Sequence, residues 1–93
     1  MKNKKLLNYS DYLQLEKILS GQELMSAKRG TPAHDEMLFI IVHQVYELWF
    51  KQILHELNSV ITIFNQESII ESDVSFVVLR LQRIIEIQKI LID

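Results

Sequence analysis

The sequence predicts an all-α fold with a short N-terminal helix, a loop and two long antiparallel helices. Apolar residues recur at three- and four-residue intervals along most of the 93 residues. Helix breakers are rare, since the 2 Gly and 1 Pro all fall within one polar stretch, residues 20–33. Hydrophobic residues make up 48% of the chain, more than one small core easily buries. We therefore expect the helices to oligomerise and so cover their apolar faces.

The first predicted helix is short and is followed by the polar loop. Ser10 is the expected N-cap, and apolar residues continue at helical spacing as far as Leu19. Gly21 follows as a stop signal, because glycine readily adopts the backbone conformation that ends a helix. Residues 20–33 are then predicted to form the one loop of the chain.

The second predicted helix is long and has a narrow polar face. Thr31 followed by Pro32 suits a helix start with proline at the first helical position, and Asp35 and Glu36 add negative charge to the first turn. Nothing interrupts the pattern before about Asn65. The polar strip contains Gln44, Glu47, Lys51, Asn58, Thr62 and Asn65. Because the rest of the circumference is largely apolar, this helix is expected to have several packing partners.

The third predicted helix begins at Ser72 and Asp73 and runs to the end of the sequence. One apolar stripe contains Val74, Val77, Val78, Leu81, Ile85 and Ile92, and a second contains Phe76, Leu79, Ile87 and Ile90. No Gly or Asn cap ends the helix, which suggests a chain cut within a helix. Residues 1–93 are therefore interpreted as a single helical unit belonging to a longer domain.

Composition excludes several classes of protein. The chain has no Cys, so it forms neither a disulfide framework nor a thiolate metal site. A net charge of -2 without a clustered basic face argues against nucleic-acid binding. No apolar run reaches the roughly 18 residues that span a bilayer, and no secretory signal is recognisable. We expect a cytoplasmic protein that binds neither nucleic acid nor membrane.

His43 is the residue most suggestive of chemistry. It lies four residues after Phe39 and three before Tyr46, so the three share one helix face. A desolvated imidazole in this aromatic setting suits acid–base work beside an apolar ligand. The alternative is a buried core histidine bonded to a neighbour such as Glu47. His43 and Glu47 have the spacing of metal ligands, but the face supplies no third ligand, so no metal site is predicted.

Two sequence blocks resemble the N-terminal region of tryptophan 2,3-dioxygenases. They are YSDYLQLEKIL, residues 9–19, and HDEMLFIIVHQVYELWFKQILHEL, residues 34–57, in the order found in the family. A looser similarity continues through LQRIIEIQKIL, residues 81–91. The family's subunit is several times longer, so the chain resembles only its first part.

This resemblance implies an all-α homotetramer that binds haem b and inserts both atoms of O2 across the indole C2–C3 bond of L-tryptophan. The product is N-formylkynurenine, and the reaction opens the kynurenine pathway of tryptophan catabolism. The family's proximal haem histidine and its carboxylate-binding arginine lie downstream of the matching region. We therefore expect this chain alone to bind no haem and to be inactive.

The resemblance also implies roles for individual residues. His43 matches the distal histidine that contacts the indole N–H, and Phe39 matches a residue of the indole pocket. Substrate-binding positions on this segment are Phe39, Ile40, Ile41, Val42 and His43. Tyr9, Tyr12 and Leu13 match a segment that reaches the active site of the neighbouring subunit.

Two alternatives from other classes remain at this point. The excess of apolar residues equally suits a small helical oligomerisation module without a ligand. The length also suits a three-helix dimeric enzyme of the chorismate mutase kind. That enzyme needs inward-facing cations for its dianionic substrate, for which Arg80 and Arg83 are the candidates.

Overall fold

The computed structural model describes residues 8–92, which contain five helices and no strand. The helices are α1 (Tyr9–Leu13), α2 (Leu15–Leu19), α3 (Met25–Lys28), α4 (Glu36–Phe64) and α5 (Glu71–Ile92). The all-α prediction is confirmed for this part of the chain. The described residues fall into two compact units, 8–41 and 42–92. No helix within residues 8–92 is long and apolar enough to cross a membrane.

The first predicted helix is two short helices. The N-cap is Asn8 and not Ser10, because the Asn8 side-chain oxygen accepts a hydrogen bond of 2.8 Å from the backbone N–H of Asp11. Gln14 then interrupts the helix with φ 57° and ψ 41°, in the left-handed region. Its side-chain amide and its backbone N–H both donate to the Asp11 carbonyl, at 3.0 and 3.2 Å. These bonds end α1 before α2 begins.

The predicted loop contains a helix of its own, α3. Gly30 ends α3 with φ 87°, and its N–H donates to the Ala27 carbonyl at 3.0 Å. The N–H of Thr31 donates to the Ser26 carbonyl at 3.1 Å, which completes a Schellman motif. The prediction of a continuous loop over residues 20–33 is therefore wrong, because these bonds satisfy a full helical turn inside it.

The long helix α4 begins at Glu36, four residues later than the Pro32 start that the sequence predicts. The backbone N–H of Ala33 donates to the Ser26 hydroxyl at 2.9 Å, which holds the chain at this point against α3. A turn follows, in which the N–H of Glu36 donates to the Ala33 carbonyl at 3.2 Å. The end of α4 at Phe64 agrees with the predicted end near Asn65.

In residues 42–93, α5 packs antiparallel against α4. Tyr46, near the start of this unit, donates its hydroxyl to the Leu91 carbonyl at 3.3 Å, whereas Val60 and Ile63 cluster with Val77 at the opposite end. The antiparallel arrangement of the two long helices is therefore confirmed. The side chains buried in this unit are Glu56, Val60, Ile63, Val77, Ile84 and Ile87. Their spacing of three, four or seven residues is that of paired helices.

The apolar stripes predicted for the third helix do not match this seam. Val77 belongs to one predicted stripe and Ile87 to the other, and Ile84, which belongs to neither, is also buried. Within residues 42–92 this helix packs against one other helix, α4. Packing against a single helix buries only a narrow line of side chains. The helix starts at Glu71, and the Asp73 carboxylate caps it by accepting from the Ile70 N–H at 3.1 Å. Its predicted start at Ser72 is thus one residue late.

Candidate functional site

The predicted substrate-binding residues all lie in α4, which is regular throughout. Phe39 is 64% exposed, and His43 is exposed as well. Ile40 is half-buried, whereas Ile41 and Val42 are exposed. Neither the desolvated ring expected for His43 nor the alternative of a core histidine describes this chain, because the packed seam of α4 lies on other residues. His43 instead presents an imidazole at the surface.

An aromatic pair follows His43 on α4. The rings of Tyr46 and Phe50 stack with centroids 6.3 Å apart and an interplanar angle of 13°. The hydroxyl of Tyr46 is used in the bond to the Leu91 carbonyl, which ties this part of α4 to the end of α5. Residues 42–50 therefore combine one imidazole with apolar and aromatic side chains on a helix that is bonded to α5.

The residues expected at a neighbouring active site lie on α1. Tyr9 and Tyr12 are 74% and 71% exposed, and Leu13 is half-buried. No residue of α1 is buried. Both tyrosine rings are thus presented outward, as side chains that contact another surface would be.

A recess of about 530 Å³ lies within residues 1–41. It brings Phe39 together with residues that sequence reasoning did not select as site residues. The lining residues are Met25, Ser26, Arg29, Thr31, Ala33, Glu36 and Phe39. The sequence signal for Glu36 was its acidic position in a first helical turn, which indicates dipole compensation but does not reveal a contact with α3.

Glu36 is the group in this recess whose titration is clearly perturbed. Its carboxylate accepts hydrogen bonds from the Ser26 hydroxyl, from the Ser26 N–H at 3.1 Å and from the Met25 N–H at 3.0 Å. The Ser26 bonds stabilise the charged form and lower the pKa of Glu36 below its usual 4.5, and the Arg29 guanidinium acts in the same direction. Glu36 is therefore ionised at neutral pH and serves as an acceptor.

A larger groove of about 930 Å³ lies within residues 42–93, between α4 and α5. Its walls are Val45, Leu48, Trp49, Gln52, Leu79, Gln82, Arg83, Ile85, Glu86 and Ile87. They include Arg83, a candidate for the dianion site, but none of the residues predicted to contact tryptophan. Beside it, the buried Glu56 accepts from the Gln52 amide at 2.8 Å and lies 3.5 Å from the Arg83 guanidinium. The bond from Gln52 lies within α4, whereas the contact with Arg83 joins α4 to α5. Together they leave Glu56 no evident chemical role.

Within residues 8–92 no group of three or more His, Cys, Asp or Glu side chains could hold a metal ion. The imidazole of His43 is exposed and is able to form hydrogen bonds. A neutral imidazole accepts one hydrogen bond and donates another, which suits contact with a polar N–H on an otherwise apolar ring. Arg80 and Arg83, the candidates for a dianion site, are engaged elsewhere: Arg80 lies 5.2 Å over the Phe76 ring, and Arg83 faces Glu56.

Comparison with known proteins gives one consistent result. The profile of the family described as tryptophan 2,3-dioxygenase matches residues 2–93. The tryptophan 2,3-dioxygenase of Alteromonas mediterranea is 66% identical over 85 residues, which cover 91% of this chain and 24% of that protein. Those of Dictyostelium discoideum and Rattus norvegicus are 52% identical over 85 residues and 54% identical over 88 residues. These matches cover 91% and 94% of this chain, and 21% and 22% of the relatives.

The chain thus spans about a quarter of the length of the relatives that it matches. The profile nevertheless includes both blocks quoted above, and it extends through α5. On this evidence the chain belongs to the tryptophan 2,3-dioxygenase family.

Proposed function

We propose that this chain supplies the N-terminal part of a dioxygenase that opens the indole ring of L-tryptophan with O2. The product is N-formylkynurenine, formed at the start of the kynurenine pathway. The enzyme is a haem-dependent, cytoplasmic homotetramer, and residues 1–93 are the N-terminal helical part of its longer subunit. The observation that carries this proposal is the family match over residues 2–93, together with the exposed imidazole of His43 on α4.

In this proposal His43 orients the substrate. The indole N–H donates to one nitrogen of the imidazole, which accepts at about 3 Å. A rigid helix suits this role, because side chains on helices are held more closely than side chains on loops. The same nitrogen can assist removal of the indole proton during ring opening.

The apolar residues before His43 contact the indole ring. Phe39 presents a largely exposed ring, and Ile41 and Val42 are 40% and 41% exposed. A stacked or edge-on contact between Phe39 and an indole contributes about 0.5–1.5 kcal/mol beyond the burial of area. Ile40 and these side chains also exclude water from the face on which the reaction takes place.

The residues present fit one wall of a haem site, since an exposed imidazole stands among apolar side chains on a single helix. Haem would supply the iron that binds and activates O2. His43 acts on the substrate side in this proposal, and no axial ligand is assigned to this chain. Tyr9, Tyr12 and Leu13 complete the site of a neighbouring subunit, a role that the exposure of the two tyrosines on α1 supports.

The alternative is a helical oligomerisation module without catalytic activity. It is favoured by the apolar surface, because exposed large apolar side chains outnumber the buried ones among the described residues. Both functions predict self-association, so oligomeric state does not separate them. Catalysis does.

The test is a chimera in which this chain replaces the matching quarter of the Alteromonas mediterranea enzyme. We expect the chimera to form N-formylkynurenine from L-tryptophan and O2. His43→Ala should lower turnover by about three- to tenfold, the effect of losing one hydrogen bond, and should leave the Soret absorbance intact. His55→Ala, at another exposed histidine of α4, is the matched control and should change neither.

Three results contradict the proposal. An inactive, haem-loaded parent chimera favours the oligomerisation module. Unchanged turnover in His43→Ala removes the assignment of that residue. Loss of the Soret band in His43→Ala makes His43 a haem-retention residue.

A further inference from the structure

Glu36 joins two elements that are separate in sequence. Its carboxylate belongs to the first turn of α4, and its hydrogen-bond donors are the first residues of α3. The N-cap of α3 is Leu24, which provides no side-chain cap. Helix α3 itself leaves the N–H groups of Met25 and Ser26 without an acceptor. Glu36, which lies eleven and ten residues further along the chain, accepts from both.

Ser26 extends this connection to a third point. Its hydroxyl donates to Glu36 and accepts from the backbone N–H of Ala33 at 2.9 Å. The Glu36 carboxylate and the Ser26 hydroxyl therefore connect the start of α3 to the residues that lead into α4. The remaining charged groups of the segment from α3 to α4 are Lys28, paired with Glu23 at 3.1 Å, Arg29, whose charge favours ionised Glu36, and Asp35.

Glu36 and Phe39 lie one helical turn apart, and both line the recess of about 530 Å³. Met25, Ser26 and Arg29 of the connected segment form other parts of its wall. Bonds that Glu36 accepts therefore contribute, together with the bond from Ala33 to Ser26, to the distance between this segment and the Phe39 ring. Loss of the bonds frees the segment to move away from Phe39 or toward it.

We propose that Glu36 is a positioning residue for L-tryptophan binding, because it ties Met25 and Ser26 to the first turn of α4 and so fixes the wall beside Phe39. The inference rests on the proposed function, in which Phe39 lines the indole pocket. Glu36 acts through Phe39 and the tied segment, without touching the substrate.

The first measurement is steady-state kinetics of the haem-loaded chimera. Glu36→Ala should raise KM for L-tryptophan by about three- to tenfold and leave kcat within about twofold, since a displaced pocket wall weakens binding of substrate and transition state alike. Glu36→Gln keeps the shape and one acceptor oxygen, so its effect should be smaller. Asp35→Asn removes the same charge one residue earlier and should change neither constant.

The second measurement is limited trypsin digestion of the same proteins, because Lys28 and Arg29 lie inside the tied segment. Glu36→Ala should accelerate cleavage after these two residues by about fivefold or more, since cleavage requires local opening of the segment. Ser26→Ala should accelerate it less, and Ser26→Thr, which keeps a hydroxyl, should restore the parent rate. The fragments are identified by mass spectrometry.

The two measurements separate the possible failures. Only variants with the parent haem content are compared. If Glu36→Ala does not fold, Glu36→Gln and Ser26→Ala are measured in its place. Faster cleavage with unchanged KM overturns the positioning role, and unchanged cleavage overturns the tie itself. A parent chimera without tryptophan turnover overturns the proposed function and, with it, the positioning role of Glu36. In that case the digestion still tests whether Glu36 holds Met25 and Ser26 against α4.

Discussion

Different interactions stabilise residues 8–41 and residues 42–92, each within its own region. None of the three short helices of the first region has a buried residue, and its contacts are caps and hydrogen bonds such as those of Glu36 and Ser26. The second region has a seam of buried aliphatic side chains between two long helices. Helices of four or five residues cannot bury an apolar stripe, so polar groups at their ends must stabilise them. The stability of the first region should therefore depend mainly on charged groups and backbone conformation. The stability of the second region should depend mainly on substitutions that leave cavities in the seam.

The largest expected effect is a cavity in the seam. Ile84→Ala removes a side chain that is 8% exposed and should lower the free energy of unfolding by about 2–4 kcal/mol. Ile85→Ala, at the adjacent and 50% exposed isoleucine, should change it by less than about 0.5 kcal/mol. Urea unfolding followed by circular dichroism measures both. Equal effects of the two substitutions would contradict the assignment of the seam.

The next largest effect concerns the buried carboxylate of the seam. Glu56→Ala leaves the Gln52 amide without its acceptor and should cost about 1–3 kcal/mol. Arg83→Ala should cost less than about 1 kcal/mol, because the Arg83 side chain is 55% exposed and its bond to Glu56 is long. The same urea unfolding experiment measures the loss of unfolding free energy in both variants. A larger cost for Arg83→Ala would mean that the ion pair, and not the amide bond, holds Glu56.

A smaller effect is expected at the glycine that ends α3. Gly30→Ala should destabilise the local fold by about 1 kcal/mol, because φ of 87° strains any residue with a Cβ even though that Cβ would meet no atom within 4 Å. Gly21→Ala is the control, since the left-handed glycine among the described residues is Gly30. Hydrogen exchange of the Thr31 amide, which closes the Schellman motif, reports the change. Equal protection in both variants would show that this turn is not strained.

The smallest effect is acid sensitivity of the Glu36 contacts. The lowered pKa means that their contribution to stability is complete above pH 4.5 and is lost as pH falls through the pKa of the folded chain. Amide chemical shifts of Met25 and Ser26 should therefore titrate with a midpoint below 4.5, and Glu36→Gln should abolish the titration. A midpoint at or above 4.5 in the parent would indicate that these amides do not donate to Glu36.

The extent of the long helices was predictable because it depends on local signals. Absence of breakers between Glu36 and Phe64 predicts α4, and Asp73 marks the first turn of α5. The late start of α4 was not predictable from Pro32, because it depends on the bond between Ala33 and Ser26, seven residues apart. The seam of α5 was also missed, because the residues that are covered depend on which partner is present.

The candidate site was predictable in part for the same reason. Helical period places Phe39 and His43 on α4 from sequence alone, and the family resemblance supplies their roles, which stay predictions. Glu36 was identified as an acid in a first turn, but its bonds to Met25 and Ser26 require the folded connection. The exposure of His43 was not foreseen either, because an apolar sequence context does not say which side chains a partner covers.

The left-handed residue between α1 and α2 has a consequence for the two exposed tyrosines. With φ 57° at Gln14, the direction in which Tyr9 and Tyr12 leave the chain is decided by one backbone hinge and not by a continuous helical surface. A β-branched residue at this position would resist that torsion. A single replacement at Gln14, two residues after Tyr12, would thus re-aim both hydroxyl groups together, and with them any surface that they were shaped to meet.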